Sequence, residues 1–249
     1  MTTRIALLSD IHGNVAALDA VLVDVRREAP DVIALCGDYV LNGPRPCETV
    51  DRVRELEAEG ALVIQGNTDV ASADLDLAAA FPWFDEVPRV NVVASEWAHD
   101  QLGDERLDWL RRLPAERRIR ADDGDTLVLV CHGSPGSQTA GLGTELDAAT
   151  VVERLARTDA RIVACGHTHM QDVRDLGWKQ VVNPGSCGYA FDGDPGAAWA
   201  IVTIDGEDVQ VDLRRSAYDT RPVSDELTLR GLHGDVYRAA TIRTGRFVR

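Results

Sequence analysis

The sequence has no long hydrophobic run. Its apolar stretches, of which Ile5–Leu8 is typical, are far shorter than the about 20 residues that an α-helix needs to cross a bilayer. No charged and then apolar leader precedes this first run, which begins close to the N-terminus. These absences argue against a membrane-spanning or exported protein, and we expect a cytoplasmic one that contacts no membrane.

Cysteine is scarce and irregularly spaced. The sequence has 5 cysteines, an odd number, and no two are spaced as CxxC, so neither a disulfide framework nor a zinc ribbon is predicted. Cys36, Cys131 and Cys165 each lie in an apolar run close to a His or Asp, which leaves a mixed Cys/His metal site as an alternative. Buried strand positions are the commoner setting for such cysteines, and we predict that they occupy them.

Positive charge is in short supply. There are 26 Lys and Arg against 41 Asp and Glu, which gives a formal net charge of −15. Because attraction to phosphates supplies most non-specific affinity for nucleic acid, we expect no duplex nucleic acid as a partner. Arg238, Arg243, Arg246 and Arg249 follow the last acidic residue, Asp235, and we predict a solvated tail there.

Short apolar runs alternate with amphipathic stretches, a pattern typical of α/β architecture. The predicted strands are Ile5–Leu8, Asp31–Cys36, Ala61–Gln65, Thr126–Cys131, Arg161–Cys165, Lys179–Val182, Ala198–Ile204 and Val209–Leu213. The predicted helices are one that Asn14 caps and whose apolar stripe ends at Val25, then Cys47–Glu59, Ala94–Leu110 and Glu145–Arg157.

The order of these elements predicts two β-sheets packed face to face. The front half reads as βαβαβ and the back half is rich in strands, with a hairpin signal at Asp205-Gly206. Residues 69–88 carry few signals and are expected to form an irregular excursion with a short helix. No linker, repeat or low-complexity segment interrupts the chain, so we expect one domain over residues 1–249.

Chemistry-bearing residues follow the predicted strands. The seven potential metal ligands are Asp10, His12, Asp38, Asn67, His132, His167 and His169. Asp10 and His12 are two residues apart, and alternate residues of an extended chain project to the same side, so we expect them to bind one ion. His167 and His169 repeat this spacing. Because the carboxyl ends of parallel strands converge on one crevice, all seven are expected to meet there.

This ligand set indicates a pair of divalent ions. Mixed imidazole and carboxylate ligands suit Mn, which we favour, or Fe, Zn, Co or Ni, and seven donors are too many for one tetrahedral zinc. Two ions roughly 3.5–4 Å apart can hold a bridging hydroxide for in-line attack on phosphorus. Coordination lowers the pKa of water to about 7, so the nucleophile is available at neutral pH. A mononuclear zinc hydrolase, which needs fewer ligands, is an alternative.

The order of the motifs resembles a known family. Asp10-x-His12, Gly37-Asp38, Gly66-Asn67, His132-Gly133 and Gly166-His167-Thr168-His169 resemble the calcineurin-like metallophosphoesterases over nearly the whole chain. Two further segments, His132-Gly133-Ser134-Pro135 and Asn183-Pro184-Gly185-Ser186, look like the small prokaryotic branch grouped with diadenosine tetraphosphatases and Ser/Thr protein phosphatases.

The resemblance implies both a fold and a division of the ligands. The fold would be α/β, a four-layer α/β/β/α sandwich with two mixed β-sheets. One metal would be held by Asp10, His12, Asp38 and His169. The other metal would be held by Asp38, Asn67, His132 and His167. Asp38 would bridge the two ions.

The segment Gly66-Asn67-Thr68-Asp69 departs from the family pattern. Many relatives carry a His where this sequence has Thr68, and that His protonates the leaving oxygen. A Thr hydroxyl is a poor proton donor near neutral pH, and the loss of a positioned acid typically costs about 10²–10⁴-fold. With Thr68 in the catalytic slot, we expect weak activity on alkyl monoesters and better activity on activated diesters or phosphoanhydrides. His99 is an alternative acid, although we expect a surface histidine.

Two residues are predicted to bind substrate. Asn14 follows the first metal motif and can reach a phosphate oxygen, while its role as a helix cap is an alternative. Arg45 can clamp an anion bidentately, or it can be solvent-exposed. The aromatic residues Phe81, Trp83 and Phe84 form either a base-stacking lip over the cleft or a minor core.

The sequence therefore predicts an enzyme, a dinuclear-metal-dependent phosphoesterase. It would hydrolyse a phosphodiester or phosphoanhydride of a small substrate by attack of a metal-bridging hydroxide. The alternatives are a phosphoprotein or phosphomonoester phosphatase and, from a different class, a non-catalytic scaffold that retains the fold. All seven ligand positions are chemically competent, which favours the enzyme. No sequence feature indicates the substrate, the native metal or the oligomeric state.

Overall fold

The structure of the protein is a computed structural model that describes residues 2–122 and 124–249. Its strands are β1 (Thr3–Leu8), β2 (Val32–Leu35), β3 (Leu62–Val63), β4 (Glu116–Arg120), β5 (Leu127–Cys131), β6 (Ile162–Ala164), β7 (Gln171–Asp175), β8 (Gln180–Pro184), β9 (Ala197–Asp205) and β10 (Asp208–Ser216). Its helices are α1 (Val15–Glu28), α2 (Pro46–Ala58), α3 (Asn67–Asp74), α4 (Leu77–Ala80), α5 (Arg89–Arg112), α6 (Ala148–Leu155), α7 (Thr220–Arg230) and α8 (Asp235–Thr244).

The strands form two mixed five-stranded sheets. The first has the order β10-β9-β1-β2-β3, in which β1, β2 and β3 are parallel and β9 and β10 are antiparallel additions. The second has the order β4-β5-β6-β8-β7, in which β5, β6 and β8 are parallel and the two outer strands are antiparallel. Each sheet therefore presents the carboxyl ends of three parallel strands at one edge.

Successive side chains of a strand point to opposite faces of its sheet, and this alternation determines the layer in which each residue packs. Ile5 and Leu7 of β1 pack between the sheets, in one cluster with Val128 of β5. Their neighbour Leu8 faces the other way, against α1, α2 and α5. On the outer face of the second sheet, α6 contributes Leu155 to a third cluster. The molecule is thus the four-layer α/β/β/α sandwich with two mixed sheets that the family resemblance implied.

The strongly periodic elements are found where they were predicted. Helix α1 begins after Asn14, whose side chain accepts the Ala17 N–H, and it buries Leu18 and Val25. Asp205 pairs with Asp208 in the hairpin between β9 and β10. The cysteines at the strand ends are buried and unpaired, as predicted. In the part of the chain that the structure describes, no helix is both long enough and apolar enough to cross a membrane.

The two edge strands of the second sheet, β4 and β7, were not predicted. Strand β4 has the sequence ERRIR and buries only Ile119, so its charged residues hide the alternation of apolar and polar side chains. Charged residues are common on edge strands because they prevent pairing with other chains. Strand β7, QDVRD, is the opposite edge and equally polar. Residues 69–88, expected to be irregular with one short helix, contain most of α3 and all of α4. Helix α5 begins earlier than predicted and is interrupted by Gly103, whose φ is 68°.

Most of the stretch predicted to be a solvated tail forms α8, and the prediction was wrong for Arg238. Arg238 of α8 is buried, and its guanidinium donates to Asp235, to Asn42 Oδ1 and to the carbonyl of Val90. Arg243, Arg246 and Arg249 are exposed, as expected. The error has a physical reason, because a buried Arg that is fully hydrogen-bonded has the same sequence signature as a solvated one.

Replacement of Arg238 by Leu is predicted to destabilise the protein by about 1–3 kcal/mol, because Asn42 and the Val90 carbonyl lose a buried donor. The control is Arg243→Leu in the same helix, which removes an exposed Arg and should change the free energy of unfolding by less than about 0.5 kcal/mol. Urea unfolding of both variants measures the difference. Equal effects would show that Arg238 is dispensable.

Candidate metal centre

Five loops bring the seven predicted ligands into one crevice. The loops follow β1, β2, β3, β5 and β6, all of which belong to the parallel parts of the two sheets. The ligands they carry are Asp10 and His12, Asp38, Asn67, His132, and His167 and His169, in the order of those strands. Ring nitrogens and carboxylate or amide oxygens link them without a gap, with separations of 3.0 to 3.6 Å from one residue to the next.

The backbone at the ligands is not extended. Five ligands have a positive φ, which is 54° at Asp10, 51° at His12, 60° at Asp38, 69° at His167 and 59° at His169. Asp10 and His12 therefore each have a left-handed backbone conformation, and the expectation of an alternating extended chain was wrong. A non-Gly residue held in this region costs on the order of 1–3 kcal/mol and persists only where the surroundings impose it, most often at functional sites.

The imidazoles of His12 and His169 face each other through unprotonated ring nitrogens. The Nδ1–H of His12 donates to the Val40 carbonyl at 3.1 Å, and that of His169 donates to the Tyr189 carbonyl at 2.5 Å. A neutral imidazole carries one proton, so each Nε2 presents a lone pair. The two Nε2 atoms are 3.1 Å apart. Lone pairs repel each other at this distance unless a cation, either a proton or a metal ion, is shared between them.

The carboxylates of Asp10 and Asp38 lie beside these two imidazoles, and the four residues together form the first cluster. One ligand atom from each of Asp10, His12, Asp38 and His169 lies within 4.8 Å of the others, and all four residues are buried. Oδ1 of Asp10 has no hydrogen-bond partner although it is buried, and it lies 3.3 Å from Nε2 of His169. A buried carboxylate oxygen without a donor requires a cation. The residues therefore fit a divalent metal ion.

Each carboxylate is held by one oxygen and offers the other. Asp10 Oδ2 accepts the backbone N–H of His167 at 3.0 Å, and Asp38 Oδ1 accepts the N–H of Thr68 at 2.9 Å. Thr68 lies in the first turn of α3, where backbone N–H groups are free to bind an anion. Asp38 Oδ2 then lies 3.6 Å from His12 Nε2 and 3.4 Å from His132 Nε2.

The remaining ligands form a second cluster beside the first. The Nδ1–H of His132 donates to the Cys36 carbonyl at 2.7 Å, which leaves its Nε2 free to bind a cation. Asn67 donates its amide N–H to the Ala80 carbonyl, so its Oδ1 faces the cluster, 3.0 Å from both His132 Nε2 and His167 Nδ1. Hydrogen bonds to backbone carbonyls thus set the tautomer or the amide orientation and point the ligand atoms inward.

Burial and neighbouring charges set the protonation of the ligands. Burial and the nearby His169 lower the pKa of His12 to about 4, and burial and His132 lower the pKa of His167 to about 4. Both imidazoles are then neutral at pH 7, as metal binding requires. Burial opposes a charge on His132, but the Asp38 carboxylate raises the pKa of His132 to about 10. In the absence of metal, a proton on His132 therefore neutralises Asp38.

Glycines next to the ligands make room for the carboxylates. A Cβ on Gly66 would lie 2.1 Å from Asp38 Oδ1, and a Cβ on Gly166 would lie 2.6 Å from Asp10 Oδ2. Both distances are far below a van der Waals contact. The Gly-Asn and Gly-His pairs of the sequence are thus explained by the close approach of a ligand from another loop.

Asp69 is an important residue that the sequence reasoning missed. Its buried carboxylate accepts the backbone N–H groups of Asp38 at 2.9 Å, Tyr39 at 2.8 Å and Gly66 at 2.9 Å, which joins the loops after β2 and β3. Burial and the neighbouring Asp38 raise the pKa of Asp69 to about 7, against the effect of these backbone donors. An acid three residues after Gly66 is the capping signal that would have identified it.

The two predicted substrate residues have other partners, whereas the side chain of the predicted catalytic residue has none within residues 2–122 and 124–249. Thr68 is buried and its hydroxyl has no hydrogen-bond partner among the described residues. Asn14 donates to the Gly188 carbonyl and to the Tyr218 hydroxyl. Arg45 donates from Nε to a carboxylate oxygen of Glu226 at 2.8 Å.

His99, the alternative acid that we expected to be a surface histidine instead, is half-buried. Its Nδ1 donates to the carbonyl of Ser72 at 2.9 Å.

Aromatic rings lie beside both clusters. Phe191 stacks on His169 with ring centroids 4.2 Å apart. The ring of Trp83 packs against that of His167 in a T-shaped arrangement, with ring centroids 5.7 Å apart.

The fold and the arrangement of these ligands agree with a known family. Residues 3–207 match the sequence model of the calcineurin-like phosphoesterase superfamily domain. The chain belongs to this superfamily, as its motifs indicated, and membership supports a hydrolase. The family is metal-dependent, and the first cluster is its candidate metal site in this chain.

Three similar proteins span nearly the same length. A metallophosphoesterase from Sphaerobacter thermophilus is 29% identical, with a TM-score of 0.74 over 98% of this chain and 100% of that one. A hypothetical protein from Pyrococcus horikoshii OT3 is 20% identical, with a TM-score of 0.82 over 98% of both chains, and supports the fold alone. An uncharacterized protein of Methanocaldococcus jannaschii is 26% identical over 242 residues, or 90% of this chain and 92% of that protein.

Replacement of Asp69 by Asn is predicted to weaken both the fold and the metal centre. The new amide N–H₂ would face a backbone N–H, so at least one buried donor loses its acceptor at a cost of about 1–3 kcal/mol. Thermal unfolding and Mn²⁺ titration calorimetry measure the two effects. Asp76→Asn is the control, since this exposed N-cap of α4 tolerates Asn. Wild-type stability and Mn²⁺ affinity in Asp69→Asn would contradict the role given to Asp69.

Proposed function

We propose that the protein is a dinuclear-metal-dependent phosphoesterase that hydrolyses a phosphodiester or phosphoanhydride of a small substrate. The observation that carries the proposal is the position of Asp38 Oδ2, which lies within 3.6 Å of His12 Nε2 in one cluster and 3.4 Å of His132 Nε2 in the other. Two ligand sets that share a carboxylate oxygen are suited to a pair of ions. Mn²⁺ is the first choice for this mixed set, with Fe, Zn, Co and Ni as alternatives.

The residues would divide the work as follows. Asp10, His12 and His169 would hold one ion, and Asn67, His132 and His167 would hold the other, with Asp38 between them. When bound, the ions supply a water of lowered pKa and positive charge for the phosphoryl oxygens. The protein's own contribution is to fix the donors in advance, through the backbone N–H groups of His167 and Thr68 and the carbonyl partners of the histidines.

Thr68 favours substrates with good leaving groups. Its hydroxyl is buried next to the Asp38 loop and is a poor proton donor near pH 7. Activated diesters and phosphoanhydrides release a group that needs little protonation, whereas alkyl phosphates need an acid. This is the reason for preferring a diesterase or anhydride hydrolase over a phosphomonoester or phosphoprotein phosphatase.

A catalytic role accounts for the site better than a scaffold role does. A protein that only retained the fold would have no need for the orphaned Asp10 Oδ1 or for strained ligands, both of which lower stability. The unpaired cysteines support our further proposal that the protein works in the reducing cytoplasm.

Ligand substitutions test the assignment of two ions. We expect about two Mn²⁺ per chain in the wild type and about one in either His169→Asn or His167→Asn, because each variant loses a donor of one cluster. Hydrolysis of bis(p-nitrophenyl) phosphate should fall by at least about 10²-fold, as is typical when one electrostatic contributor is removed. Metal analysis and steady-state kinetics are the measurements. The control is His233→Asn, which changes an exposed histidine. One ion per fully loaded wild-type chain would favour a mononuclear enzyme instead.

The Thr68 slot is tested by Thr68→His. A positioned acid typically contributes about 10²–10⁴-fold, so hydrolysis of an alkyl phosphate diester should rise by at least about 10-fold while that of an activated aryl diester changes little. Thr68→Asn fills the slot without an acid and should not show this gain. An unchanged ratio of the two activities in a stably folded Thr68→His variant would refute the interpretation of Thr68.

A further inference from the structure

Trp83 occupies an unusual position for a large apolar side chain. It lies in the loop between α4 and α5, is 51% exposed, and its ring is 5.7 Å from that of His167 at an interplanar angle of 65°. His167 is a ligand of the second cluster in the proposed function. An indole ring thus stands in water at the edge of the metal centre.

The loop that carries Trp83 is fixed to the metal centre. The Ala80 carbonyl, at the end of α4, accepts the amide N–H of Asn67 at 3.0 Å. Phe81 is buried in a small apolar cluster with Ala71 and Ala94, which anchors the loop to α3 and α5. The alternative of a minor core therefore applies to Phe81 but not to Trp83. The indole is held in place without being covered.

Affinity for the part of a substrate that is attached to the phosphate needs an uncharged contact. The protein carries a net charge of −15, and Arg45, the cation that the sequence analysis predicted to bind an anion, is paired with Glu226. An exposed aromatic ring beside a phosphate site is suited to stack on a planar group attached to that phosphate. Nucleobases stack on any aromatic side chain, because every base has a π-face.

We propose that Trp83 is a specificity-determining residue that stacks on the base of a nucleotide whose phosphate is bound at the second cluster. The proposal rests on the proposed function and names the substrate class, a nucleotide diester or anhydride. Phe84, 39% exposed with its ring 5.9 Å from that of Trp83, extends the same surface.

Steady-state kinetics of Mn²⁺-loaded protein with two anhydrides tests the proposal. One is a dinucleoside polyphosphate and the other is inorganic tripolyphosphate, which has no base. Stacking on one base is worth about 5- to 150-fold in affinity, so Trp83→Ala should raise KM for the nucleotide by at least about 5-fold. Its kcat for the nucleotide, and both constants for tripolyphosphate, should stay within about 2-fold. Trp83→Phe should restore most of the affinity.

Trp178→Ala is the matched control. Trp178 is 48% exposed, but it precedes β8 and so lies at the end of the second sheet opposite the carboxyl ends that carry the ligands. Its removal should leave all constants unchanged. An unchanged nucleotide KM in Trp83→Ala, or an equal rise in KM for tripolyphosphate, would overturn the proposal while leaving phosphoesterase activity established.

Equilibrium binding separates this proposal from the proposed function. If wild-type protein hydrolyses neither the two anhydrides nor bis(p-nitrophenyl) phosphate, the proposed function fails, and quenching of tryptophan fluorescence by adenosine monophosphate decides the role of Trp83. Quenching that is lost in Trp83→Phe and kept in Trp178→Phe supports base stacking. Equal quenching in both variants refutes it.

Discussion

The structure depends on one constraint: buried nitrogen and oxygen lone pairs face one another at the carboxyl ends of five strands. Nε2 of His12 lies 3.1 Å from Nε2 of His169, and Asp10 Oδ1 has no donor. Such an arrangement is unfavourable in a medium of low dielectric constant unless positive charge is present. Its persistence needs a surrounding structure that prevents the side chains from turning away.

Several features of the fold supply that rigidity. Parallel strands from both sheets aim five loops at one place, and backbone carbonyls fix the rings of His12, His132 and His169. Asp69 joins the loops after β2 and β3 through three backbone N–H groups. The resulting pocket is preorganised, so little free energy is spent in rearranging ligands when a cation binds.

The sequence predicted the chemistry of the centre better than its geometry. Asp10, His12 and the other ligands were recognisable because polar residues at the ends of apolar strands have few structural uses. Their left-handed backbone was not, since the positive φ values of His167 and His169 arise from tertiary contacts. The carbonyl partners could not be predicted, because backbone groups leave no trace in the side-chain pattern, whereas Asp69 carried a capping signal three residues after Gly66.

For the fold too, only features that show in the side-chain pattern could be predicted. Elements with strong periodicity, such as α1 and the hairpin after β9, were predicted close to their observed positions. The charged edge strands β4 and β7 were missed, because edge positions bury too few side chains for alternation to show. The burial of Arg238 was also invisible, since its acceptors, Asn42 and the Val90 carbonyl, are distant in sequence.

The contacts made by residues beyond the family match at 3–207 have a consequence for how the centre is assembled. Tyr218 hydrogen-bonds Asn14, Arg238 hydrogen-bonds Asn42, and the ring of Phe247 packs on Phe191, which stacks on His169. During synthesis a chain emerges from its N-terminus, so Asp10 and His12 leave the ribosome long before these supports. The crevice would reach its final shape only after Phe247 has emerged, and acquisition of metal would be a late event in the life of the nascent chain.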